Sequence, residues 1–224
     1  MSKTKILFIG NSATYVNDIP EALSRLATKA GYEVECAMVV KGGATLSTHA
    51  TIETALGRAA FEAIEKGFDT VFLQDNGNCI SNDAMRIASK NACESLAAAI
   101  KKTGAQVGIY FRPPYGYDNS GYDPIAQCVE FDRHFGEISE SIGALNAHVN
   151  RAFAYAIKHT DYKLWGQDNG HTSEHGAYLA VCVFFASVFG VSSARLEWNG
   201  LAETDAKELQ SIADKIALQG VIPW

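Results

Sequence analysis

The sequence predicts an α/β fold in which helices cover both faces of a parallel sheet. Strand-like and helix-like segments alternate from one end of the chain to the other, which is the pattern that builds parallel sheets. The first strand candidate, residues 5–9, is a short and nearly continuous apolar run, as expected of a strand buried on both faces. With 224 residues, 47% of them hydrophobic, the chain is long enough to form a sizeable core, and we expect one domain over residues 1–224.

Each element is indicated by its apolar spacing and by the residues that flank it. The predicted strands are residues 5–9, 33–40, 70–73, 106–111 and 162–165. The predicted helices are residues 19–31, 51–67, 82–104, 132–159, 173–189 and 203–218. Residues 112–131 are rich in Pro, Gly, Tyr and Asp, and a loop of that length is typical of a lid or a binding surface.

The composition argues against several classes of partner and cofactor. The net charge of −6 disfavours nucleic acid, because a nucleic-acid partner is itself strongly anionic. The five cysteines are odd in number, scattered and without a C-x-x-C pair, so we expect small core residues rather than disulfides or zinc ligands. No cofactor is expected.

One apolar stretch, residues 179–189 with its flanks, is nearly long enough to cross a bilayer. Its polar start and its place within an α/β pattern favour a buried core helix, so we expect no membrane span. No signal-peptide pattern precedes the first strand. The sequence as written is therefore expected in the cytoplasm, or outside the cell if a leader has been removed.

Polar segments, four of which contain glycine, follow the predicted strands. They lie at residues 10–12, 41–45, 74–78, 112–114 and 167–171. Ligands of open parallel sheets bind outside the carboxyl ends of the strands, where the strand order reverses. We therefore expect these segments to meet along one edge of the sheet.

A hydroxyl, an imidazole and a carboxylate stand in positions that suit acyl transfer. Asp168 precedes His171 by three residues, so its carboxylate can accept the Nδ1 proton and hold the imidazole as a base. Ser12 follows the first strand and is the candidate nucleophile, with a capping or turn serine as the alternative. His171 with His175 four residues later also allows a metal site, although the H-E-x-x-H pattern is lacking and no metal is expected.

Two further positions can supply N–H donors to a developing oxyanion. Gly43 allows a ligand to approach the backbone closely, although Gly42 and Gly43 also fit an ordinary turn. Asn76 offers a side-chain amide after the third strand, although Asn76 and Gly77 also fit an Asx-turn. The order of these residues, each after a successive strand, favours the functional interpretation.

These residues resemble the four sequence blocks of the SGNH hydrolases, the GDSL-type esterase superfamily. The blocks correspond to residues 8–12, 43–45, 74–76 and 168–171, and several flanking residues suggest a bacterial branch without an assigned substrate. The resemblance implies a flavodoxin-like three-layer α/β/α sandwich with a parallel five-stranded sheet. It also implies that Ser12 is the nucleophile, His171 the base and Asp168 the orienting acid. The oxyanion donors implied are the N–H groups of Ser12 and Gly43 and the amide of Asn76.

The chain departs from the block pattern at four positions, none of which removes a group from the implied mechanism. Asn11 stands where Asp is usual, Gln74 where Gly is usual, Gly77 where Asp is usual and Thr172 where Pro is usual. Gln74 and Gly77 flank Asn76, so the third block is the least regular of the four.

The expected activity is hydrolysis of a small acyl ester, with O-acetyl groups on a carbohydrate favoured as the substrate. Polar and aromatic side chains on the predicted edge suit a sugar, because aromatic rings pack against sugar faces and amides bind hydroxyls. The candidates for substrate binding are Tyr15, Asn17, Asn78, Arg112, Tyr115 and Tyr117. The alternatives are a lipid-ester or thioester hydrolase of the same fold, a non-catalytic sugar-binding relative, and a flavodoxin-like module that binds phosphate or flavin.

Overall fold

The computed structural model describes residues 3–116, 123–198 and 200–224, and within them five parallel strands form one sheet. The strands are β1 (Thr4–Gly10), β2 (Val34–Val40), β3 (Thr70–Leu73), β4 (Gln106–Tyr110) and β5 (Leu145–Ala147). Their spatial order is β2-β1-β3-β4-β5, and every neighbouring pair is parallel. This order is that of the flavodoxin-like sheets, so the predicted fold class is confirmed.

Helices cover both faces of the sheet and give the molecule its three layers. They are α1 (Ser12–Tyr15), α2 (Ile19–Lys29), α3 (Leu46–Ala50), α4 (Ala55–Ile64), α5 (Asp83–Lys102), α6 (Pro124–Ile142), α7 (Val149–His159), α8 (Glu174–Phe189) and α9 (Glu203–Ala217). One apolar core lies between the sheet and α2, α7, α8 and α9. The other lies between the sheet and α3, α4, α5 and α6.

Strand β1 is buried on both faces because its side chains enter the two cores alternately. Ile6 and Phe8 belong to the first core, and Leu7 and Ile9 belong to the second. This explains why the run is continuously apolar in sequence.

Helix α8 is the most completely buried helix of its layer. Every residue from 176 to 186 is buried, and the ring of Phe184 contacts those of Phe8, Phe72 and Tyr110. A helix that is apolar all round belongs in a core, as predicted for this stretch. Within the residues that the structure describes, no helix is long and apolar enough to cross a bilayer.

The predicted fifth strand was wrong. Residues 162–165 contribute only an isolated bridge between Trp165 and Thr172, whereas β5 lies at Leu145–Ala147. The predicted helix 132–159 is accordingly two helices, α6 and α7, separated by that strand. Gly143, with φ of 62°, ends α6 in the left-handed region. Strand β5 has only three residues, which are too few for a clear period-two pattern.

The predicted loop 112–131 is shorter than expected. Helix α6 begins at Pro124, with the carboxylate of Asp123 accepting the N–H of Ile125 as the N-cap. Asp before Pro is a favourable helix start, because proline fits the first turn and the capping oxygen satisfies a free N–H. Tyr117, one of the residues proposed to bind substrate, lies outside the described residues.

Candidate active site

A cleft of about 160 Å³ lies at the carboxyl ends of the strands, close to β1 and β3. It is lined by Asn11, Ser12, Ala13, Gly43, Asn76, Arg112, Tyr115, Gly170 and His171. The chain reverses its direction of strand addition at β1, so this is the position where open parallel sheets bind ligands. Residues from all five predicted edge segments thus meet in one cleft.

Ser12 is the first residue of helix α1, directly after β1. The side chain of Asn11 caps this helix by accepting the N–H of Ala13 at 3.1 Å, and its amide donates to the carbonyl of Ala44 at 2.9 Å. Asn11 is buried, so both bonds hold the turn that carries Ser12 against the loop that carries Gly43. Asparagine therefore serves as a helix cap where the block pattern has aspartate.

Gln74 anchors the same turn from the neighbouring strand. Its Oε1 accepts the N–H of Asn11 and the hydroxyl of Thr14, both at 2.9 Å, and its Nε2 donates to the carbonyl of Asp75. Gly10 makes room for this side chain, because a Cβ there would lie 2.5 Å from Gln74 Oε1. The unusual Gln74 is thus explained by its contacts with the turn.

The imidazole of His171 is hydrogen-bonded to the carboxylate of Asp168. Its Nδ1 lies 2.5 Å from Asp168 Oδ2, while Asp168 Oδ1 accepts the N–H groups of Gly170 and His171 at 3.0 Å each. The hydrogen bond with the His171 side chain, followed by those two backbone bonds, outweighs desolvation and lowers the pKa of Asp168 to about 2. The carboxylate is therefore ionised at neutral pH and fixes the orientation of the imidazole.

Two contacts tie the loop that carries His171 to the rest of the cleft. The amide of Asn17 donates to the carbonyl of Thr172 at 2.5 Å, and the N–H of Gly116 donates to the carbonyl of Asn169 at 2.8 Å. Ser12 and His171 consequently line the same cleft although 159 residues separate them in sequence. Among the described residues, the side chain of His171 is hydrogen-bonded to Asp168 and not to Ser12.

The three predicted oxyanion donors also line the cleft. Asn76 Nδ2 donates one hydrogen to the carbonyl of Gly43 at 3.0 Å, which leaves its second hydrogen available. Asn76 Oδ1 accepts the N–H of Asn78 at 2.9 Å, which fixes the amide orientation. Gly43 has φ of 71°, a conformation that favours glycine. In the described part of the chain, no protein group accepts the N–H of Ser12 or Gly43.

The predicted substrate-binding residues fall into two groups. Arg112 and Tyr115 line the cleft itself. Asn78 lines an adjacent pocket of about 190 Å³, which shares Gly43 and Asn76 with the cleft. Asn17 instead ties the first turn to Thr172, and the hydroxyl of Tyr15 lies beside Gly42.

His49 is a buried residue close to the turn that carries Ser12, and the sequence analysis did not identify it. Its Nε2 donates to the carbonyl of Gly10 at 2.8 Å, and burial lowers the pKa of its imidazole, which favours the neutral form. The carboxylate of Asp75 is also buried and accepts the N–H groups of Leu46 and Asn76. Asp75 follows β3 and His49 lies in the short helix α3. A single sequence does not distinguish such supporting residues from ordinary turn or helix residues.

The alternative of a metal site at His171 and His175 has little geometric support. His175 Nε2 lies 3.2 Å from Asp205 Oδ2, so this side chain pairs with α9 rather than with Asp168. Within residues 3–116, 123–198 and 200–224, no group of three potential ligands is placed to hold a metal ion.

Comparison with known proteins was made with family models, curated proteins and solved structures. No family model and no curated protein matches the chain. Among solved structures, the chain is similar to a "putative SGNH hydrolase" from Slackia heliotrinireducens, with 27% identity and a TM-score of 0.71 over 84% of this chain and 100% of that one.

Two other solved structures extend the likeness in fold. A DUF4886 family protein from Bacteroides uniformis has a TM-score of 0.82 and 14% identity, over 98% of this chain and 96% of that one. An acetylxylan esterase from Geobacillus stearothermophilus has a TM-score of 0.64 and 16% identity, over 84% of this chain and 95% of that one. At such low identity these two likenesses concern the fold alone.

Proposed function

The chain belongs to the SGNH hydrolase superfamily of ester-hydrolysing enzymes, and we propose that it cleaves small acyl esters with Ser12, His171 and Asp168 as its catalytic triad. One observation carries this proposal: Ser12, an Asp168-bound His171 and three candidate oxyanion donors all line one small cleft. A nucleophile, a base and a site for developing negative charge are the groups that acyl transfer needs.

In the proposed reaction, the Ser12 oxygen attacks the ester carbonyl and its proton passes to Nε2 of His171. The carboxylate of Asp168 accepts the proton on Nδ1 of His171 in a hydrogen bond, so it stabilises the imidazolium that forms. The tetrahedral intermediate expels the alcohol, which takes the proton from His171, and Ser12 remains acylated. Water then attacks the acyl group with His171 again as base, and Ser12 recovers its proton as the acid leaves.

The proposed oxyanion site combines two backbone donors with one side-chain donor. The N–H groups of Ser12 and Gly43 and the second Nδ2 hydrogen of Asn76 are the candidates. Their positions are fixed before substrate binds, because two hydrogen bonds join the segments that carry them. Asn11 bonds to Ala44 in the loop that carries Gly43, and Asn76 bonds to Gly43 itself. Preorganised donors of this kind stabilise the transition state without reorganisation.

The size of the cleft supports a short acyl group. The cleft and its neighbouring pocket measure about 160 and 190 Å³, below the roughly 300 Å³ at which sites for drug-sized ligands begin. A long acyl chain would therefore extend onto the surface. Acetyl is the group that fits this limit best.

A wider groove beside the triad supports a carbohydrate as the alcohol. It measures about 760 Å³ and flanks the Asp168–His171 turn, with Tyr162, Trp165 and Asn169 among its lining residues. Aromatic rings and an amide are suited to sugar faces and hydroxyls, and they support an O-acetylated carbohydrate as the substrate.

The proposed activity is tested with para-nitrophenyl acetate and two variants. Native protein should hydrolyse the ester and Ser12→Ala should lose nearly all turnover, whereas Ser81→Ala, at an exposed serine outside the cleft, should behave as native. Equal rates for native protein and Ser12→Ala would reject Ser12 as the nucleophile.

The substrate class is tested by comparing acetylated oligosaccharides with para-nitrophenyl esters of increasing chain length and with acyl thioesters. We expect the highest kcat/KM on acetylated sugars and a fall as the acyl chain lengthens. A preference for long acyl chains or for thioesters would replace the carbohydrate proposal while leaving the triad in place.

A further inference from the structure

Arg112 is a charged residue buried within the cleft. It follows β4 and only 3% of its surface is exposed, yet it lines the same cleft as Ser12 and His171. Arginine keeps its positive charge throughout the working pH range. Among the described residues that line the cleft, Arg112 alone carries a permanent charge.

The guanidinium is held firmly by its surroundings. Its Nε donates to the carbonyl of Pro113 at 2.9 Å, and its Cζ lies 4.4 Å from the ring centre of Tyr115 and 5.7 Å from that of Phe131. Gly77 leaves space for it, because a Cβ at that position would lie 2.3 Å from Nη1. The two Nη groups form one edge of the guanidinium, and this edge is held in a fixed position. The hydrogen bond to Pro113 is made by Nε and leaves the Nη edge available.

That edge has no anionic partner in the described part of the chain. Arg86, Arg133 and Arg151 each pair with a carboxylate, whereas Arg112 has no such pair, and no hydrogen-bond acceptor besides Pro113, among the described residues. Burying an arginine without a carboxylate is unfavourable unless another group compensates for its lost hydration. Stacking on two aromatic rings offsets part of that cost.

We propose that Arg112 binds a carboxylate of the substrate, so that the preferred ester carries an acidic group close to its scissile bond. This inference rests on the proposed esterase function and narrows it to acidic esters, such as acetylated acidic sugars. Two parallel N–H groups on a planar guanidinium match the two oxygens of a carboxylate. The small size of the cleft keeps that carboxylate near the carbonyl that Ser12 attacks.

The proposal is tested with acetoxybenzoates that carry the carboxylate ortho, meta or para to the ester, each paired with the neutral acetoxybenzamide. Native protein should favour at least one carboxylate over its amide by about 10- to 100-fold in kcat/KM, the range for a hydrogen bond to a charged group. Arg112→Met should reduce that ratio to about one, and Arg112→Lys, which keeps the charge without the paired N–H groups, should retain part of it. Each ester pair is judged by how its carboxylate-to-amide ratio of kcat/KM differs between native protein and the Arg112 variants. The different intrinsic reactivities of the two esters cancel in that comparison.

A binding measurement separates this inference from the esterase proposal. Calorimetry should detect benzoate binding to the Ser12→Ala protein, and its affinity should fall at least 10-fold in the Ser12→Ala/Arg112→Met double variant. If the native protein hydrolysed none of the esters but benzoate binding still depended on Arg112, the anion site would be supported and the esterase function rejected. Ester hydrolysis with no carboxylate preference in any isomer, or a preference that Arg112→Met leaves unchanged, would overturn the inference and leave the esterase function standing.

Discussion

Replacing Gln74 with leucine should destabilise the protein and impair the turn that carries Ser12. The Gln74 side chain is buried and its Oε1 accepts two donors, the N–H of Asn11 and the hydroxyl of Thr14. Leucine has a similar volume but no acceptor, so both buried donors would lose their partner. Asn11 immediately precedes Ser12, the proposed nucleophile, so a displacement of its N–H group should shift Ser12.

The size of the effect follows from the two donors that remain. A buried donor without a partner costs about 1–3 kcal/mol, so losing the acceptor of two donors should lower the free energy of unfolding by about 2–6 kcal/mol. For a domain of this length, about 2–4 °C of Tm corresponds to each kcal/mol, which predicts a Tm lower by roughly 4–24 °C. A small shift of Ser12 should lower kcat by about 10- to 100-fold in the molecules that remain folded.

The assay is a double-mutant cycle on urea unfolding with Gln74→Leu, Thr14→Val and the pair. Thr14→Val removes one of the stranded donors, so its cost should shrink by about 1 kcal/mol or more when Gln74 is already leucine. Gln219→Leu, at an exposed glutamine, serves as the matched control and should change stability by less than about 0.5 kcal/mol. Additive costs, or a Gln74→Leu protein as stable as the control, would refute the anchoring role of Gln74.

Three other predictions follow from the site and from one partly buried ion pair. Asp168→Asn should lower kcat on para-nitrophenyl acetate by about 10²–10⁴, because the imidazole loses its orienting carboxylate, and a native rate would count against the triad. Asn76→Ala should lower kcat by about 10²–10³ through loss of one oxyanion donor, and an unchanged kcat would reject that role. Burial alone would raise the pKa of Asp132, but neighbouring His148 and the paired Arg151 outweigh it and lower that pKa to about 2. Because the folded pKa lies below the unfolded value of about 3.9, this pair contributes about 2 kcal/mol above pH 4 that is lost between about pH 4 and 2. Thermal unfolding against pH should show that loss in the native protein, and its persistence in Asp132→Asn would contradict the assignment.

The strands and helices with strong periodicity were predictable from sequence. The apolar run of β1 and the long apolar stretch of α8 each predict burial. The alternation of strands and helices predicts a parallel sheet. Strand β5 was missed because three residues between two helices carry almost no period-two signal. Residues 162–165 resemble a strand in composition, yet only Trp165 pairs, and it pairs outside the sheet.

The candidate site was predictable where chemistry depends on short spacing, and less so where it depends on packing. Asp168 and His171 are three residues apart, and the structure joins them by a hydrogen bond as expected. The contacts of Gln74 reach from β3 to the turn after β1, so they depend on the strand order of the sheet. Asn17 was expected to bind substrate, and its bond with Thr172 is likewise a long-range contact that spacing does not reveal.

Burial of a charge is another property that a single sequence does not disclose. Arg112 was selected as a substrate-binding residue because it follows a strand on the site edge, but its burial and its stacking on Tyr115 appear only when the loop after β4 is packed. The absence of a carboxylate partner for Arg112 among the described residues likewise depends on every element packed around it. Such features arise from tertiary packing rather than from local pattern.

The most direct test of the proposed mechanism is to trap the acylated protein. Native protein mixed with para-nitrophenyl acetate and quenched in acid within the first turnover should carry one acetyl group, and peptide mapping should locate it on Ser12. Ser12→Ala should remain unmodified under the same conditions. An acetyl group on another residue, or rapid hydrolysis by Ser12→Ala, would contradict the assignment of Ser12 as the nucleophile in a cleft shared with His171.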